Sequence, residues 1–100
     1  MAHIEFVEAV LDDFDRIFEH IAQFDVGSAS LRIDEITQAV QVLANSPLIG
    51  RPVKNGKREL VIGKGPRGYV ALYRYVPEID TAFVLAIRGQ RESGYKHDIG

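Results

Sequence analysis

The side chains able to handle protons or phosphates gather toward one end of this 100-residue chain, where Arg88, Arg91, Tyr95 and His97 follow one another within ten positions. His97 lies two residues past Tyr95, and an imidazole can serve as acid or base near neutral pH. The plainer role is a polar residue in a loose tail. His3 and His20 read as surface or helix-edge positions. The three histidines and the scattered carboxylates show no metal-ligand spacing, so no metal is expected. With no cysteine there is no thiolate nucleophile, disulfide frame or zinc ribbon, which fits a reducing compartment. Gly63-Lys64-Gly65 lacks the Gly-x-x-x-x-Gly-Lys-Ser/Thr spacing of a phosphate-binding loop and lies between two strands, not before a helix. Tyr69, Tyr73 and Tyr75 offer ring faces on which bases can stack, although their alternation favours packing in or beside the core. No motif calls for a cofactor or a small-molecule substrate.

Charge is spread unevenly. Residues 1–50 hold two basic residues (Arg16, Arg32) against nine acidic ones, a balance of −7; residues 51–100 hold ten against five, a balance of +5. The net charge of −2 conceals this split. If the halves form separate layers, the cationic one steers toward nucleic acid or an acidic protein segment. The alternative is two solvated faces that differ in sign. At 46% hydrophobic residues the chain is one globular domain, 1–100, large enough for a core without staples. The start, MAHIEFVEAV, lacks the basic and apolar regions of a signal peptide. No stretch approaches the roughly 18 apolar residues of a membrane helix. The expected location is the cytoplasm.

Two helices and a sheet must position these groups. Phe6, Val7, Val10, Leu11, Phe14, Ile17, Phe18 and Ile21 recur at helical steps, predicting a helix over 5–23 with its acids on the other face. Ala29, Ile33, Ile36, Ala39, Val40 and Leu43 predict a second over 29–45. Gly27 can end the first and Ser28 cap the second, giving an antiparallel hairpin that stops before Pro47. The period then changes. RELVIG, YVALYRYV and TAFVLAI are short runs rich in β-branched and aromatic residues, separated by turn residues, and predict an antiparallel meander. Within the middle run Val70, Leu72, Arg74 and Val76 share one face, and Tyr69, Ala71, Tyr73 and Tyr75 the other. His3 to Val7 could add an edge strand. Gly50-Arg51-Pro52 reads as a turn. The fold class is therefore α+β, with a helical hairpin on one face of a small twisted sheet and the opposite face partly open.

Four blocks now fall in order: SPLIGRPV (46–53), RELVI (58–62), GYVALYRY (68–75) and VLAIRGQRESGY (84–95). In this order and spacing they resemble the ParE/RelE toxin superfamily of plasmid stabilisation proteins, over almost the whole chain. The resemblance implies two N-terminal helices on a twisted antiparallel sheet. It implies the toxin half of a type II toxin–antitoxin pair, neutralised in a hetero-oligomer by the C-terminal segment of a cognate antitoxin. RelE-like members cut messenger RNA in the ribosomal A site, and ParE-like members poison DNA gyrase; fold alone does not choose.

Cleavage by 2′-hydroxyl attack needs a group to take the hydroxyl proton, cations for the phosphorane and a donor for the leaving oxygen. RelE-like toxins place lysines at alternate positions of the strand matching RELVIG, an arginine directly after the Gly-Tyr that opens the next strand, an arginine after the last strand and a tyrosine near the C-terminus. Here the first strand has no alternating lysines, and Val70 follows Gly68-Tyr69. Arg91 can match the later arginine and Tyr95 the tyrosine, which with His97 are the catalytic candidates if the chain is a ribonuclease. The resemblance therefore favours the ParE-like branch, a gyrase inhibitor and not an enzyme, with Arg88, Arg91 and Tyr95 as target-binding candidates. The competing role for these three is an Arg–Glu pairing that ties the tail to the sheet with Tyr95 packed on it. Arg51, Arg58 and Arg74 are the candidates for antitoxin binding, on the cationic rim of an apolar groove. A generic nucleic-acid-binding domain fits less well, since the overall charge is not basic. A diverged toxin that keeps only its antitoxin is a further alternative.

Overall fold

The computed structural model describes residues 1–96. His3–Phe6 form a strand, β1, so helix α1 starts later than the hydrophobic period suggests and spans Ala9–Ala22. Ile4 and Phe6 alternate toward the core, and that two-residue period overrides the helical one locally. A tight turn leads to helix α2, Val26–Val40, which continues as a 3-10 turn over Gln41–Ala44. Asp25, not Ser28, is the N-cap of α2: its Oδ1 accepts from the Gly27 N–H at 3.0 Å and its Oδ2 from the Ser28 hydroxyl at 2.8 Å. Gly27 thus lies inside the first turn of α2 instead of ending α1. The cap satisfies one of the donors that a helix start leaves unpaired.

Arg51–Pro52, expected as a turn, form a short strand β2, followed by β3 (Arg58–Ile62), β4 (Tyr69–Val76) and β5 (Thr81–Gly89). The sheet order is β1-β5-β4-β3-β2. The β3–β4–β5 meander is antiparallel as expected, but β1 runs parallel to β5, with His3 opposite Thr81 and Phe6 opposite Val84, so the whole sheet is mixed. The chain reaches β1 first and β5 last, and the intervening helical hairpin and meander act as the long crossover that a parallel pair requires.

The helices cover the sheet face that carries Ile62, Ala71, Tyr73, Ala82, Val84 and Ile87, against Val10 and Ile17 of α1 and Ile36 and Val40 of α2. A bulge shifts the β4–β5 register between Leu72 and Tyr73, pairing Leu72 with Ala86 and Tyr73 with Val84. The extra residue, Leu85, lets Val84 and Ile87 both face the helices. Tyr73 is fully buried and its hydroxyl accepts from the Gly50 N–H at 2.9 Å. Only glycine fits at position 50, because a Cβ there would come within 2.6 Å of the Tyr73 ring and 2.8 Å of the Glu59 carbonyl oxygen. Among the described residues no helix is long and apolar enough to cross a membrane.

Candidate functional site

The face turned away from the helices carries two neighbouring rows: Glu59, Leu72 and Ala86, then Val61, Val70 and Arg88. The C-terminal segment returns over it. The Tyr95 hydroxyl donates to Glu59 Oε2 at 2.6 Å, and the Arg88 guanidinium carbon lies 5.2 Å from the centre of the Tyr95 ring. Tyr95 thus spans from one row to the other. Arg88 Nη1 also donates to the carbonyl oxygens of Gly89 and Glu92, at 3.1 and 3.2 Å. Val70 is fully buried and Leu72 nearly so, which closes the middle of a face expected to be partly open.

The electrostatics of this face are self-contained. Glu59 also accepts from Arg51, at 2.9 Å from Nε and 2.7 Å from Nη2. Burial disfavours the Glu59 carboxylate, but the bonds from Tyr95 and Arg51 and the charges of Arg51 and Arg88 outweigh it and lower its pKa. Burial first, and then the Glu59 carboxylate, push the Tyr95 phenol well above its ordinary value. The result is a neutral phenol donating to an occupied carboxylate. At the two alternate positions of β3 on this face stand Glu59 and Val61, and Val70 lies beside them. Nothing in this set supplies paired cations for a phosphorane.

A second cluster fastens the same tail from the helix side. Asp13, fully buried on α1, accepts from the Ile87 N–H at 2.9 Å and from Arg16 Nη1 at 2.7 Å. Arg16 reaches Glu92 through Nε and Nη2, at 3.1 and 3.0 Å, and the Ile87 carbonyl oxygen at 3.2 Å. Glu92 also accepts from the Gly89 N–H at 2.8 Å. Burial opposes the Glu92 charge, but the bonds from Arg16 and Gly89 and the charges of Arg16 and Lys96 prevail, lowering its pKa. A carboxyl with a lowered folded pKa stabilises the fold fully above its unfolded value, and the contribution is lost as pH falls through the folded value. Glu59 and Glu92 both clamp the tail, so their contribution to stability against urea should be level from neutral pH down to 4.5, the ordinary glutamate value, and fall below it. Glu59→Gln should flatten part of that acid limb; an unchanged limb would show that the Tyr95–Arg51 clamp contributes nothing.

A cleft of about 820 Å³ opens between the hairpin's connecting end and the β3–β4 turn, and Arg91 and Arg67 line it. A family model described as the ParE toxin of the type II toxin–antitoxin system parDE matches residues 4–94. The chain belongs to this ParE toxin family. Among solved structures it resembles the chromosomal ParDE toxin–antitoxin system of P. aeruginosa, with a TM-score of 0.74, 22% identity, and 89% of this chain and 96% of that one covered. It also resembles a chain of the intact E. coli RelBE toxin–antitoxin complex, with a TM-score of 0.61, 15% identity, and 92% and 99% covered. A search of curated proteins found no significant match.

In this ParE-family toxin the candidate arginines part company. Arg88 and Tyr95 meet on the open face, where internal bonds hold both. Arg91 is exposed in the cleft and makes no ion pair among the described residues. His97 lies outside the described residues. Arg51 is committed to Glu59. Arg58 Nη1 donates to the carbonyl oxygens of Leu48 and Gly50, at 3.1 and 2.8 Å, fastening the loop before β2. Arg74 is half-buried on the open face. Asp13 and Arg16 escaped the sequence analysis, although Arg16 is one of only two basic residues in an acidic half and stands three positions from Asp13, within reach on a helix.

Proposed function

We propose that this chain is the toxin of a toxin–antitoxin pair, that an antitoxin neutralises it, and that it acts by binding DNA gyrase without chemistry of its own. The observation that carries the choice is the composition of the open sheet face. Where RNA cleavage needs cations and a proton acceptor, Val70 is buried, Val61 is apolar, and Glu59 is already bonded to Arg51 and Tyr95. A carboxylate there repels a phosphate and a valine stabilises no charge. Family membership and the likeness to a ParDE system support the same branch. On this account Arg91 offers the target an exposed cation with no ion pair among the described residues, while Arg88 and Tyr95 hold the segment that presents it. Arg51 and Arg58 border the β2–β3 edge, with Arg74 on the neighbouring strand β4, and there Leu48, Ile49 and Val61 expose apolar surface that an antitoxin segment can cover.

The test is paired expression. Induced alone, the chain should stop growth; induced with the antitoxin encoded beside it, growth should recover and the two should purify as one complex. Equal growth with and without the antitoxin would remove the toxin reading.

A further inference from the structure

The cleft beside the tail has an apolar floor and cationic walls. Ile17 and Ile21 of α1 and the Tyr69 ring of β4 line it, and Phe24 stands at its edge with 81% of its surface exposed. Arg32 of α2, Arg67 of the β3–β4 turn, and Arg91 and Lys96 of the C-terminal segment supply the charge. The carboxylates in the cleft are engaged: Asp25 caps α2 and Glu92 is held by Arg16. Arg32 pairs only loosely with Glu35, at 3.7 Å, and Lys96 with Glu92, at 3.6 Å. Arg67, like Arg91, is exposed and makes no ion pair among the described residues. Positive charge in excess of its counter-charge therefore surrounds a place for an apolar side chain.

We propose that this cleft receives an acidic segment of the antitoxin, with one apolar side chain anchored on Ile17, Ile21 and Tyr69 and its carboxylates on Arg32, Arg67 and Arg91. The proposal rests on the reading that an antitoxin neutralises the chain, and places a contact away from the β2–β3 edge. Charge decides against a nucleic-acid strand. The exposed faces of α1 and α2 carry Asp12, Asp15, Glu19, Asp34 and Glu35. A strand bears a phosphate at every step and would meet them on leaving the cleft, whereas a peptide can confine its acids to the cleft and change sign beyond it. Seated there, the segment covers Arg91, so neutralisation follows from hiding the arginine offered to the target.

The probe is the antitoxin encoded beside the chain, titrated against purified toxin variants. Arg67→Glu/Arg91→Glu should weaken binding about 100-fold at low salt, with the gap narrowing as salt rises, because reversed charges at a docking site oppose the partner and are screened. Lys64→Glu, set against Arg91→Glu alone, makes the same charge change on an exposed residue outside the cleft and should weaken binding less than about fivefold, the residue of long-range attraction. Arg67→Ala/Arg91→Ala should give a smaller loss in the same order and keeps the test in force if the reversals disturb folding. Equal losses for Lys64→Glu and Arg91→Glu, or an unchanged affinity in the cleft variants, would overturn the cleft while leaving an antitoxin partner in place. No binding to the unaltered chain would overturn both. A single-stranded oligonucleotide bound by the unaltered chain and lost in the cleft variants, with antitoxin affinity unchanged, would assign the cleft to nucleic acid.

Discussion

Arg16→Met will lower the free energy of unfolding by about 3 kcal/mol, at the lower end of what removing one partner of a buried ion pair costs. Asp13 is fully buried at a core position of α1, and Arg16 is the cation that compensates it. The cost sits at the low end because Arg16 keeps 30% of its side-chain surface and because the Ile87 N–H remains bonded to Asp13. Asp13→Asn keeps an oxygen for that N–H and removes the buried charge, so it should cost about 1 kcal/mol, the net worth of one hydrogen bond. Urea unfolding of the two variants checks the order. If Asp13→Asn proved the more damaging, the carboxylate would owe its stability to groups other than Arg16.

On the proposed gyrase reading, Arg91→Ala will weaken binding to gyrase by about 30-fold or more, the scale of a truncated interface hot spot worth roughly 2 kcal/mol, while leaving the urea midpoint within the scatter of ordinary surface substitutions. The side chain is exposed and makes no ion pair among the described residues, so the fold does not depend on it. Arg88→Ala and Tyr95→Ala should lower stability as well, and weaken binding only through the loosened tail. Arg88 holds the Gly89 and Glu92 carbonyl oxygens and Tyr95 holds Glu59. Binding and unfolding measured on the same preparations separate the two classes. A stable Arg91→Ala variant that binds as tightly as the unaltered chain would exclude Arg91 from the interface.

The layers were legible because their periods are plain. The 3.6-residue repeat on both helices and the alternation in β4 place the core residues correctly except for Leu11, which is 59% exposed, and Tyr69, Ala71, Tyr73 and Tyr75 do share the helix-covered face. β1 was legible as an edge strand over His3 to Val7, although the helical period overlapped it because Phe6 fits both a strand and a helix. Two features were not legible. The parallel pairing of β1 with β5 joins segments more than 70 residues apart and leaves no local signal. Asp13 reads as solvent-facing by type, yet lies between Val10 and Ile17 on the buried side because the Ile87 N–H and Arg16 both turn to it. At the site, the absence of cations at the alternate positions of β3 and at Val70 was readable directly. What the sequence could not divide was the C-terminal group. Arg88 and Arg91 are three residues apart, but the chain turns at Gly89, sending one to the open face and the other to the cleft.

Brief induction of the chain in cells, followed by paired assays of transcript integrity and of gyrase trapped on DNA, tests the gyrase reading directly. Trapped gyrase–DNA complexes, an SOS response and filamentation, with messages intact, are the expected result. Rapid cleavage of translated messages without DNA damage would contradict it, and would mean that Arg91, Tyr95 and His97 cut RNA without the cations that Val70 and β3 lack.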